Sequence, residues 1–217
     1  MDLHNDCDTA VLEHPARGAT SGRVPARRGD AIAQAVSHAA SPPVLSVAAA
    51  VAVAAADGRP EAFLAAAAFG VIGVLLPLLI LVYQWREGEI ADLEITRRDQ
   101  RLWPLLLTTT CVGAAGIALQ LAGAPPPVAG VASILGVESL LLLAITTSWK
   151  ISVHCAAAAT AGALVAALTG LASLALLPVL PVIWSRLQLR RHTPLQCLAG
   201  TALGASLILL LWPMIGA

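Results

Sequence analysis

Three arginines and a histidine interrupt an otherwise apolar C-terminal region at Ser185-Arg186-Leu187-Gln188-Leu189-Arg190-Arg191-His192-Thr193-Pro194-Leu195-Gln196. Thr193 followed by Pro194 has the form of an N-cap and first helical residue, so a helix over roughly 194 to 215 should begin beside His192. A helix start presents unbonded amides and the positive end of its dipole. Added to Arg186, Arg190 and Arg191, these describe a phosphate-sized anion site at a membrane surface. The same residues could also form no more than a positive membrane flank with an interfacial histidine.

Two further polar islands repeat the pattern. In Trp149-Lys150-Ile151-Ser152-Val153-His154, Ser152 is a natural N-cap for the alanine-rich helix that follows, so a cation and a histidine again stand at a helix start. Residues 86 to 101, REGEIADLEITRRDQR, place Arg97, Arg98 and Arg101 just before Trp103-Pro104, which opens another helix. Asp2-His4-Asp6-Cys7-Asp8 looks ligand-rich but lies where nothing pre-organises it, and is read as chance composition. Cys7, Cys111, Cys155 and Cys197 show no paired spacing, so neither a disulfide nor a metal site is expected. Glu138 falls near the middle of an apolar segment. A functional role and a packing role, hydrogen-bonded or protonated, both fit it.

The elements that must carry these islands are membrane helices. Hydrophobic residues make up 58%, charged residues 12% and mean hydropathy is +0.80, with apolar runs too long for a globular core. Thirteen basic and thirteen acidic residues cancel, which gives nucleic-acid binding no support. Residues 1–30 read as a disordered polar tail, and about 31 to 42 as a weakly amphipathic stretch on the interface. Segments follow at about 43–57, 61–85, two within 104–148 broken by Pro125-Pro126-Pro127, two short ones within 153–184 around Thr169-Gly170, and one at 194–215. The expected fold is therefore an all-α polytopic bundle of six to seven membrane helices. Two helices between successive islands would bring all three islands out on one side of the membrane, whereas a single helix in either interval would separate them.

With the islands in place, the chain resembles the type-2 phosphatidic acid phosphatase and haloperoxidase superfamily. Ser185-Arg186, then His192 after five residues and Gln196 after three more, looks like its third motif. Lys150 to His154 is similar to the second, and Arg98 to Pro104 to the first. The resemblance covers about residues 40 to 215, within an expected phosphatase-like domain of residues 31–217. Three positions depart from the pattern: Gln196 stands for the family's acid, Val153 for its glycine, and Glu94 at the usual place of its first lysine.

The resemblance implies a cofactor-free and metal-free hydrolysis of a lipid or isoprenoid phosphate or diphosphate. His192 would be the nucleophile, His154 the acid and then the base, and Gln196 the orienting partner of His192. Arg186, Ser152, Lys150 and Arg101 or Arg98 would hold the phosphate oxygens. A catalytically weak relative that binds lipid phosphate, or a structural or transport-associated membrane protein, is the alternative. Of thirteen Lys and Arg residues, only Arg59 falls opposite the islands, so the positive-inside rule places the islands at the cytoplasmic face, in a bacterial cytoplasmic membrane. The oligomeric state is not legible.

Overall fold

The computed structural model describes residues 28–90 and 102–215. The N-terminal tail up to residue 27, and Glu94, Arg97, Arg98 and Arg101 of the first island, lie outside the described residues. All regular structure among the described residues is helical: α1 (Arg28–Ala39), α2 (Pro42–Asp57), α3 (Pro60–Arg86), α4 (Leu102–Leu121), α5 (Pro126–Ser148), α6 (Val153–Thr169), α7 (Ala172–Gln188) and α8 (Pro194–Ile215). Proline and glycine set most boundaries. Pro42, Pro60, Pro126 and Pro194 each occupy a first helical position, where a missing N–H costs nothing. Gly58 and Gly170 close α2 and α6 in the left-handed conformation that other residues resist.

Four helices, α3, α4, α5 and α8, are long and apolar enough to cross a membrane. A fifth span results if α1 and α2, bent by 46° at Ser41, count as one. The helices α6 and α7 are apolar but shorter. Within α3 the residues Gly70–Leu75 form a π-turn just before Pro77. Proline lacks an N–H and its ring crowds the carbonyl four residues back, and the wider turn absorbs both.

Small residues hold the helices together, as expected where lipid removes the hydrophobic drive between them. In the antiparallel α4–α5 pair, Gly116 lies against the Ala132–Ser133 backbone and Gly136 against Gly113, while Thr109 Oγ1 donates to Ser139 O at 3.2 Å. α6 and α8 run parallel, with Gly200 against the Ser152 carbonyl and Gly204 against the Ala156 carbonyl. α7 returns antiparallel to α6, its Ala175 and Pro178 lying on Gly162. Lys150–His154 and Arg186–Gln196 are therefore separated by an out-and-back pair and stand at the same end of the bundle. The start of α4, which follows the first island, reaches that end too, because α4 and α5 are themselves antiparallel.

One element differs from its expected place. α1 starts at Arg28, so Arg28, Gly29 and Asp30 belong to a helix rather than to the tail, and Asp30 sits in the first turn where the dipole favours an acid. It does not lie alone on the interface but docks on α7. Ala33 and Ser37 are buried there, Ser185 Oγ donates to Ala33 O at 2.7 Å, and Gln188 Nε2 donates to Asp30 Oδ1 at 3.0 Å.

Candidate anion site at one end of the bundle

The starts of α6 and α8 stand side by side. The backbone N–H of Ser152 donates to Gln196 O at 3.3 Å, tying one helix start to the other. Ser152 is fully buried and its Oγ accepts from Cys155 N at 3.4 Å, as an N-cap does. At α8 the cap is reciprocal: Gln196 N donates to Thr193 Oγ1 at 3.3 Å, and Thr193 N donates to Gln196 Oε1 at 3.2 Å. This is a capping box.

That box decides a proton. Because Thr193 N–H points at Oε1, the Gln196 amide is fixed with its oxygen inward. The same oxygen lies 3.2 Å from His192 Nδ1. An amide oxygen only accepts, so Nδ1 is the donor in this contact, and in the neutral form of the half-buried imidazole the lone pair falls on Nε2. Gln196 thus orients His192 as an acid would, without supplying a charge.

The link between α7 and α8 is a helix end that turns through Arg190. Arg191 N donates to Arg186 O and Arg190 N to Leu187 O, both at 3.0 Å, which forms a Schellman turn. Its left-handed residue, normally glycine, is Arg190 with φ 52°. An exposed side chain held there costs about 1 kcal/mol or more. Lys150 reaches across from the second island and its Nζ donates to Arg191 O at 2.5 Å.

Arg186 is only 3% exposed. Its Nη2 donates to Ser37 Oγ of α1, a contact that sequence reading missed together with His38 beside it. The available signal was the i, i+4 pair of small residues Ala33 and Ser37, which marks a packing face. Arg186, His192 and His38 all lie close enough to the half-buried His154 to act on it electrostatically. Ser152, His154, Lys150, Arg186, His192 and Gln196 are therefore gathered at one end, whereas Arg98 and Arg101 lie outside the described residues. No group of His, Cys, Asp and Glu able to hold a metal occurs among the described residues.

Parallel helices with adjacent starts bring two positive dipole ends together, an arrangement that an anion relieves. Exposed aromatic residues, Tyr83, Trp85, Trp103, Trp149 and Trp184, stand near the helix ends at this same end of the bundle, the kind of residue that favours a membrane–water boundary. Searches against known protein families, curated proteins and solved structures find no match to any of them.

Proposed function

We propose that the protein is a multi-pass membrane phosphatase, with α2 to α8 crossing as six to seven spans, that hydrolyses a lipid or isoprenoid phosphate or diphosphate. The observation that supports it most is the side-by-side start of α6 and α8, ringed by Arg186, Lys150, His154 and His192. His192 Nε2 attacks phosphorus while His154 gives a proton to the leaving oxygen. Water then cleaves the phosphohistidine, returning its proton to His154. Arg186, Ser152, Lys150 and an arginine of the first island, Arg101 or Arg98, hold the non-bridging oxygens. The apolar tail of the substrate stays in the bilayer.

One set of contacts favours the second reading, a weak or inactive relative that binds lipid phosphate. Gln196 serves a helix cap, Arg186 donates to Ser37 and Lys150 to a backbone carbonyl, all structural uses. Phosphate release from phosphatidate, prenyl phosphates and prenyl diphosphates, with EDTA present, separates the two. Release that survives EDTA and vanishes in His192→Ala supports the phosphatase. Folded protein that releases no more than His192→Ala sinks it in favour of binding.

A further inference from the structure

Deeper in the bundle, away from the anion site, α5 carries Glu138 with 3% of its surface exposed. Its Oε2 accepts from Thr160 Oγ1 of α6 at 2.9 Å, and Oε1, also buried, has no hydrogen-bond partner among the described residues. The glycine at 204 lets α8 close over the same Thr160 hydroxyl. Three helices therefore meet around one carboxyl that only one donor satisfies.

The counter-charge that a carboxylate needs is missing from the elements around it. The helices packed on α5 are α2, α3, α4 and α8, with α6 joined through Thr160. Their titratable groups are Asp57, Glu61, Tyr83, Arg86, Cys111, His154, Cys155 and Cys197. Arg86 ends α3 at the polar end, His154 and Cys155 lie in the first turn of α6, and Asp57 and Glu61 flank the far turn. Only Cys111 shares the depth of Glu138, since Thr109 bonds Ser139, and a thiol brings no positive charge. A lone carboxylate in such a place costs many kcal/mol, so the group binds a cation or a proton. Hard metal cations take about six or more oxygen ligands, and the Glu138–Thr160 pair offers three.

The geometry points to Glu138 as a proton-binding site within the bundle, which holds its proton on Oε1 at neutral pH and exchanges it only when water reaches between α5 and α6. Thr160 occupies Oε2 and so selects the oxygen that carries the hydrogen. This site is independent of phosphate hydrolysis.

The test is infrared spectroscopy of the protein in lipid bilayers at neutral pH, in the region of the protonated carboxyl C=O stretch, where ionised carboxylates do not absorb. A band that disappears in Glu138→Gln, and that Thr160→Val shifts to higher frequency without loss of intensity, supports the site. Absence of any such band in the wild-type protein, or its survival in Glu138→Gln, overturns it. Should Glu138→Gln fail to fold, Thr160→Val decides alone, because a band that does not move belongs to another group.

Discussion

At the scale of single residues, the proposed catalytic groups at the polar end share their residues with structural contacts, and substitutions can separate the two. Replacing Gln196 by Asp keeps an acceptor near His192 Nδ1 and adds the charge that stabilises an imidazolium. A serine protease triad loses about 10⁴-fold on the opposite change, so phosphate release should rise by about tenfold or more in Gln196→Asp. Activity that stays at the level of His192→Ala would show that the missing charge is not what limits the site. Ser37→Val removes an acceptor of the buried Arg186 guanidinium. It should cost about 1–3 kcal/mol in chemical or thermal denaturation and weaken phosphate binding, since the guanidinium loses one of the contacts that fix its position. Arg190→Gly makes the opposite exchange. It relieves the left-handed strain by about 1 kcal/mol, raising the melting temperature, while removing a charge from the anion site. A lower melting temperature in that variant would mean that the Arg190 side chain contributes more than its backbone costs.

At the scale of helices, α6 and α8 form a close joint. Its alanines, together with Gly200 and Gly204, let one backbone rest on the other. A methyl at Gly204 would already meet the Ala156 carbonyl, so Gly204→Val should destabilise the protein by about 1–3 kcal/mol and loosen the anion site at the head of the pair. A melting curve like that of the wild type would mean the joint is less closely packed than described. The joint also explains what was legible beforehand. Helix limits followed from Pro42, Gly58-Arg59-Pro60, Pro125-Pro126-Pro127, Gly170 and Thr193-Pro194, because proline and glycine act through local backbone geometry. The gathering of His154 with His192 followed from counting helices between islands. The partners of Arg186 and Glu138 did not follow. Ser37 lies 149 residues before Arg186, too far for local backbone geometry to pair them, and Thr160 lies 22 after Glu138 on helices apolar on every side, which carry no stripe that says which face meets which. The π-turn at Gly70–Leu75 was equally silent, since Pro77 permits a kink as readily as a widened turn.

At the scale of the whole molecule, charge is segregated. Among the described residues Arg28, Arg86, Lys150, Arg186, Arg190 and Arg191 stand at the polar end, and Arg59, paired with Asp57 at 2.7 Å, stands at the other. If the bundle spans the bilayer as proposed, cysteines placed at Gly58 and at Arg190 in a cysteine-free background should react with an impermeant maleimide from opposite sides. Labelling of both from one side would remove the proposed topology. The placement of the aromatic residues has a practical corollary. Four of the five tryptophans, Trp85, Trp103, Trp149 and Trp184, lie at the polar end, and only Trp212 lies towards the other. The intrinsic fluorescence of the unmodified protein is therefore an almost one-sided optical gauge, and quenching by lipids brominated at chosen depths would report how far below the water the histidines sit.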